Sequence, residues 1–314
     1  MIEILSVMSN PIRFIPDISD RILSVVSILT EQNNWGLHFA NVDEAWKHSK
    51  GEGVKVAVID TGWYAHKDLV KNFVEGHDAT GGNDYNDNSN GHGVHVAGVI
   101  AANTDPDTVG VTGFAPNSKL YIIKALDSNG CGRYDYLINS LNLAKNMDVD
   151  IVNMSLGSPV PPENDQMHNA IKEIAAQGKI IVCAAGNDGG NVNYPAKYDE
   201  VIAVAALDEE GKMAKFSSRG PELDTAAPGV NIYSTWINNQ YVKLNGTSMA
   251  TPAISGIIAL IISMARQKDP SFKPDYQNIL KALYQLGEAN IINMGSYSIG
   301  TPKFCNLSLE TLEY

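Results

Sequence analysis

Between Lys243 and Arg266 the chain carries no charged side chain, and the stretch from Met249 to Ala265 reads MATPAISGIIALIISMA. A helix that is apolar on every side has two stable homes: a bilayer, or the middle of a domain that surrounds it. Pro252 near its start, Ser255 and Ser263 within it, and Gly246-Thr247-Ser248 just before it favour the second. The rest of the chain must then supply structure on every side of this helix.

The flanking sequence has that form. Short apolar or β-branched runs read as buried strands: 54–59, 120–125, 151–154, 180–184 and 201–205. Between them lie segments with helical spacing: 94–102, 134–146, 164–177 and the long run from Ser248. Continuous apolar strands alternating with helices imply a parallel sheet covered on both faces. The fold class expected is α/β, a three-layer α/β/α arrangement around a central, mainly parallel sheet. No repeat period or flexible linker divides the chain. The expected organisation is an N-terminal leader over 1–30, one domain over 31–286, and a C-terminal tail over 287–314 with Gly295, Gly300 and Pro302.

Charge narrows the function. Lys plus Arg is 23 and Asp plus Glu is 35, a net charge of −12. This disfavours a nucleic-acid binder or a polybasic membrane-surface protein. Cys131, Cys183 and Cys305 form no CxxC or other metal-spaced group, and an odd count of three argues against a disulfide framework and for a reducing compartment. The N-terminal MIEILSVMSNPIRFIPD lacks the basic and small-residue features of a secretory signal, so a cytoplasmic location is expected.

Ligands bind such sheets beyond the carboxyl ends of the strands. Asp60-Thr61-Gly62, Ser155-Leu156-Gly157 and Ala185-Gly186-Asn187 occupy those places. Three local patterns carry chemistry: VAVIDTG with Asp60, NGHGVHVAG with His92 just before a helix, and NGTSMATP with Ser248 opening one. Each letter alone has a plain reading. Asp60 suits a turn or cap, Ser248 an N-cap, Asn187 a turn. His92 and His95, with His77 nearby, suggest zinc, but no partnering Cys or HExxH accompanies them.

Together these motifs, with AAGN ending at Asn187 and MSLG over Met154 to Gly157, resemble the subtilisin-family serine proteases (subtilases), most of all the intracellular subtilisins. All five stand in the family's order, and the Asp, His, Ser order along the chain is the one known for subtilisin. The resemblance implies a serine endopeptidase that hydrolyses peptide bonds through an acyl-enzyme. Ser248 would be the nucleophile, His92 the base and Asp60 its orienting carboxylate, while Asn187 would donate to the oxyanion; His95 would be a buried structural histidine.

It also implies a cleft in which a peptide adds a strand between 129–133 and 155–157, where Gly130 and Gly132 permit close approach. Tyr134 would line a distal apolar subsite. Ser155, Leu156 and Gly157 would wall the primary pocket together with Ala184 to Gly186, and Asn193 falls where the family carries glycine. The stretch from Asn187 to Tyr194 is shorter than usual, so the side-chain preference of that pocket stays open. Val94 replaces a threonine and Ala253 a histidine of the usual pattern. A structural Ca²⁺ is implied at the loop 103–111, with Asp107, the carbonyls of Asp105, Val109 and Val111, Asp68, and more weakly Glu31 as ligands. Arg13-Phe14-Ile15-Pro16-Asp17 is similar to the leader motif of intracellular subtilisins, implying a zymogen. The expected partners are peptide or protein substrates and, by the same analogy, a second copy through the tail, with no organic cofactor, nucleic acid or membrane. The rival readings are a catalytically silent binding protein and a peptide ligase or macrocyclase on the same fold.

Overall fold

The computed structural model describes residues 12–14, 35–104, 110–287, 291–294 and 296–304. In chain order its elements are β1 (Ile12–Phe14), α1 (Trp35–Phe39), α2 (Val42–Trp46), β2 (Lys55–Asp60), β3 (Phe73–Asp78), α3 (His92–Ala101), β4 (Lys119–Lys124), β5 (Cys131–Gly132), α4 (Tyr134–Asn146), β6 (Ile151–Met154) and β7 (Leu156–Gly157). There follow α5 (Gln166–Ala175), β8 (Ile180–Ala184), β9 (Ile202–Leu207), β10 (Thr225–Pro228), β11 (Ile232–Trp236), β12 (Gln240–Leu244), α6 (Thr247–Lys268), α7 (Tyr276–Gly287), β13 (Ile291–Asn293) and β14 (Ser298–Gly300).

Nine strands form the main sheet in the order β13-β14-β10-β9-β8-β6-β2-β4-β3. Every neighbouring pair is parallel except β13 with β14. Alternate side chains explain why the central strands are apolar throughout. Val56, Val58, Ile122, Ile151, Val182 and Val204 enter one core with α3 and α6. Ala57, Ile59, Ile123, Val152, Met154, Ile181, Cys183 and Ala205 enter the other with α4 and α5. Both faces are covered, so period-two alternation of polarity is lost.

The uncharged run becomes α6. It is long and apolar enough to cross a membrane by length and composition, yet its most apolar window is 100% buried inside the fold. It packs on β6, β8, β9, β10 and α3, as a helix apolar all round must.

Strand order reverses at β2: the chain leaves it for β3 and β4 on one side and later builds β6, β8, β9 and β10 on the other. A crevice opens at such a reversal, beyond the carboxyl ends of the strands. Asp60, Ser155 and the segment 185–187 all lie there.

Four of the expected strands agree within a residue and the 201–205 strand is shifted and longer, at Ile202–Leu207. His92 is the first residue of α3 rather than the residue before it. The helix expected over 164–177 is shorter, Gln166–Ala175. In the tail, β14 pairs with β10 through Thr225 and Gly300, extending the main sheet.

Candidate active site

Asp60 ends β2 and is fully buried. Its Oδ1 accepts the backbone N–H of Thr61 at 2.7 Å and a bond from His92 Nδ1, also at 2.7 Å. A carboxylate only accepts, so in the neutral imidazole the proton resides on Nδ1 and the lone pair on Nε2. The tautomer a general base requires is therefore set by this contact.

His92 opens α3, and its helix is held in place from three sides. Thr61 Oγ1 accepts the Gly93 N–H at 2.9 Å and donates to Asp87 Oδ2 at 2.6 Å. Asp87, buried, also accepts the N–H groups of Asn90 and Gly91, satisfying donors at the start of the helix. A Cβ on Gly93 would lie 2.7 Å from the Gly62 carbonyl, so a side chain there would push α3 away from Asp60.

His95 has a different task. Its Nε2 lies 3.0 Å from the Ile232 carbonyl and 3.2 Å from that of Val242, tying α3 to the β11–β12 hairpin. Burial first, then nearby His92, pushes its pKa down to about 3, so it is neutral. Ser234 Oγ and Thr235 Oγ1 add bonds to the His95 and Val94 carbonyls. Among the described residues no group of three or more His, Cys, Asp or Glu side chains gathers in a way that could hold a metal ion.

Ser248 is the second residue of α6, so its backbone N–H precedes the first intrahelical bond. Its Oγ donates to the Ser155 carbonyl at 3.0 Å, and Ser155 Oγ donates back to the Ser248 carbonyl at 2.9 Å. Pro252 explains the second bond. The helical partner of the Ser248 carbonyl would be the N–H of residue 252, which proline lacks. The Ser155 hydroxyl takes its place, and is itself held by Asn153 Nδ2 at 3.1 Å, whose Oδ1 accepts from Ser255 Oγ at 2.9 Å.

Asn187 follows β8. Its Oδ1 accepts both the N–H and the Oγ1–H of Thr247 at 2.9 Å, which assigns the amide orientation and directs Nδ2 away from Thr247. Asp60, His92, Ser248 and Asn187, expected from separate motifs, thus stand at one end of the sheet.

The expected cleft edges are β5 and β7. They flank β1 in a three-stranded antiparallel sheet: Ile12 faces Gly132, Arg13 faces Cys131 and Gly157, and Phe14 faces Leu156. Gly130, at φ +71°, closes the turn into β5. Tyr134 begins α4 and donates its hydroxyl to the Val160 carbonyl at 2.5 Å. Asn193 donates its N–H to the Ala185 carbonyl at 2.8 Å, joining the segment after β8. Ala184 ends β8, and Gly186 has φ +121°.

Of the expected calcium ligands, Asp105, Asp107, Val109 and Glu31 lie outside the described residues, as do Pro16, Asp17 and Cys305. Asp68 is 2% exposed, and its Oδ2 accepts the Val111 N–H at 3.0 Å and the Tyr241 hydroxyl at 2.8 Å. A Cβ on Gly110 would lie 2.6 Å from that oxygen. A buried carboxylate beside this loop is a fitting hard ligand, but by itself it is one ligand of several. Cys131 and Cys183 are free thiols, and burial pushes the Cys183 thiol well above its usual range.

The motifs do not point to Asp87 or Asn153, nor to the bonds that Thr61 and Ser255 make. Asn153 had a signal: one amide inside an otherwise apolar buried strand must find partners.

Residues 51–285 match the model of the subtilase family. Subtilisin DY of Bacillus licheniformis is 46% identical over 220 residues, covering 68% of this chain and 78% of that protein. The major intracellular serine protease of Bacillus subtilis (strain 168) is 42% identical over 271 residues, covering 82% of each. Subtilisin Savinase of Lederbergia lenta is 39% identical over 271 residues, covering 83% of this chain and 95% of that protein.

Proposed function

The chain belongs to the subtilase family and is a serine-type hydrolase, and from that premise we propose that Asp60, His92, Ser248 and Asn187 cleave peptide bonds in proteins through an acyl-enzyme. The observation that carries this reading is the 2.7 Å bond between Asp60 Oδ1 and His92 Nδ1, fully buried beside the start of the serine helix.

The steps follow from the groups present. Ser248 Oγ turns from the Ser155 carbonyl to His92 Nε2, which takes its proton as the oxygen attacks the scissile carbonyl. The oxyanion forms beside Asn187 Nδ2 and the Ser248 N–H, donors already oriented before reaction. His92 then returns the proton to the leaving amine, and a water repeats the sequence on the ester. Asp60 stabilises the imidazolium without itself becoming protonated.

A silent binding protein on this fold is disfavoured by Asp60. Its Oδ2 is buried and finds no hydrogen-bond partner among the described residues. Such a carboxylate is costly to retain unless a charge develops next to it. Nothing in the site favours ligation over hydrolysis.

The reading extends to regulation. β1 runs antiparallel between β5 and β7, where a substrate would add its own strand. Ile15-Pro16 follows in sequence, and the restricted backbone of a proline can misplace a scissile bond. Residues 1–30 therefore act as an inhibitory leader. A structural Ca²⁺ would be held by Asp68 and Asp107 with the carbonyls of Asp105, Val109 and Val111, and would rigidify the loop after α3. An intracellular site of action is supported by similarity to the intracellular Bacillus subtilis protease over 82% of both chains.

One labelling reaction tests the core reading. A fluorophosphonate modifies the wild-type protein, faster after removal of residues 1–30, and leaves Ser248→Ala unlabelled. Equal labelling of Ser248→Ala refutes the nucleophile assignment, and equal rates with and without residues 1–30 refute the leader.

A further inference from the structure

We infer that Lys124, the last residue of β4, is a positioning residue for catalysis: its ammonium ties together the two chain segments that carry Asp60 and His92, and so fixes the contact between them. The inference rests on the proposed protease reading. None of the five motifs that point to the site contains this lysine.

Strand register places the lysine beside the aspartate. β2 and β4 are parallel, with Val56 opposite Leu120, Val58 opposite Ile122 and Asp60 opposite Lys124. The first two pairs enter the core with α3. The period of two then sends the Asp60 and Lys124 side chains out on that same face, at the strand ends. Lys124 is half-buried there. Its Nζ donates to the Thr61 carbonyl at 2.9 Å and to the Asn86 carbonyl at 3.1 Å. Thr61 directly follows Asp60. Asn86 directly precedes Asp87, whose carboxylate holds the Asn90 and Gly91 N–H groups at the start of α3. Asp84 Oδ1 accepts the Asn86 N–H at 2.9 Å, closing the turn that carries the second carbonyl. One ammonium thus joins the segment behind the aspartate to the segment behind the histidine.

The choice of an ammonium has a reason. Two carbonyl oxygens that converge on one point repel each other, and one neutral N–H serves both poorly; an ammonium has three donors and a charge. Asp60 and Asp87 are both buried, and Asp60 Oδ2 finds no hydrogen-bond partner among the described residues. A cation on the same face of the sheet offsets the repulsion between these carboxylates, so the segments they stand on are not pushed apart. Without it Asp60 draws away from His92 Nδ1, in a bond that is now 2.7 Å. A shift of about 1 Å at such a contact is worth about 100-fold in rate. The bonds of Lys124 go to neither β5 nor β7, the edges on which a peptide would add its strand, so substrate binding is spared.

The test compares full-length wild-type protein, Lys124→Met and Lys124→Arg, each incubated to steady activity, on one fluorogenic peptide. Lys124→Met is expected to lower kcat about 100-fold with KM within about 2-fold, and to slow fluorophosphonate labelling of Ser248 in step. Arginine keeps the charge and can donate to two carbonyls, so Lys124→Arg should retain at least about a tenth of the wild-type kcat. A spectroscopic reading separates positioning from folding. The His92 Nδ1 proton, held in its short bond to Asp60, should give a far-downfield proton NMR signal in the wild type and Lys124→Arg, and that signal should move upfield in Lys124→Met. A folded Lys124→Met enzyme with kcat within about 3-fold of wild type, a loss carried by KM, or an unmoved proton signal overturns the inference alone. If Lys124→Met does not fold, Lys124→Gln takes its place with the same expectations; failure of both neutral variants to fold marks a purely structural lysine and overturns the inference as well. A wild-type protein that neither cleaves peptides nor labels at Ser248 overturns the protease reading and this inference with it.

Discussion

Ser155 and Pro252 make a linked prediction about how the nucleophile is held. Replacing Ser155 by Ala removes the hydroxyl that donates to the Ser248 carbonyl at 2.9 Å and accepts from Asn153 Nδ2 at 3.1 Å. Both groups are buried. An unpaired buried polar group costs about 1–3 kcal/mol, so Ser155→Ala is expected to cost about 2–4 kcal/mol after some relaxation. Replacing Pro252 by Ala restores an N–H at the position that would bond the Ser248 carbonyl within the helix. In that background Ser155→Ala leaves only Asn153 short of a partner. The cost should fall by about 1–2 kcal/mol, which is the coupling in a double-mutant cycle. Guanidinium unfolding of the four variants, each also carrying Ser248→Ala to prevent self-digestion, measures it. A coupling below about 0.5 kcal/mol, the scale of additivity for independent sites, refutes the idea that the hydroxyl replaces the helical bond missing at Pro252.

The other expectations are briefer. Asp60→Asn presents an amide to His92 Nδ1, disturbs the tautomer, and should lower kcat about 10⁴-fold with little change in KM, measured on one peptide substrate. Asp224, pushed up to about 6 chiefly by burial, is more easily ionised in the unfolded chain. Its contribution to stability is full below about pH 4 and is lost as pH rises through about 6. Asp224→Asn should therefore gain in Tm relative to wild type between pH 4 and pH 8, and a difference that is flat across that range counts against the raised carboxyl. For calcium, a chelator should lower the Tm of the wild-type protein and leave Asp68→Asn unmoved; equal responses would remove Asp68 from the site.

Much of the site is legible because its chemistry lies in short local motifs at strand ends. Asp60, His92, Asn187 and Ser248 each carry a Gly-containing neighbourhood that a strand-to-loop or loop-to-helix junction requires. The buried helix is equally plain, since 22 residues without charge leave few alternatives. What escapes is whatever depends on partners far along the chain. The bond from Ser155 to Ser248 spans 93 residues and that from Ser255 to Asn153 spans 102, and no local pattern encodes either. β3 escapes because it is half-exposed near one edge and mixes Glu75, His77 and Asp78 into its run. The β11–β12 hairpin had a usable signal in Asn238-Asn239, which sit at φ +59° and +54° in its turn, where asparagine is favoured over other side chains.

The central claim is that these four residues form one machine that acylates Ser248. Its most direct test is a pre-steady-state experiment with a peptidyl p-nitrophenyl ester, read by absorbance and by intact-protein mass. The account predicts a burst of about one equivalent of p-nitrophenol per active enzyme and an acyl adduct that peptide mapping places on Ser248, both absent from Ser248→Ala. A burst or adduct that survives in Ser248→Ala, or steady turnover by the wild-type protein with no adduct on Ser248, would contradict it.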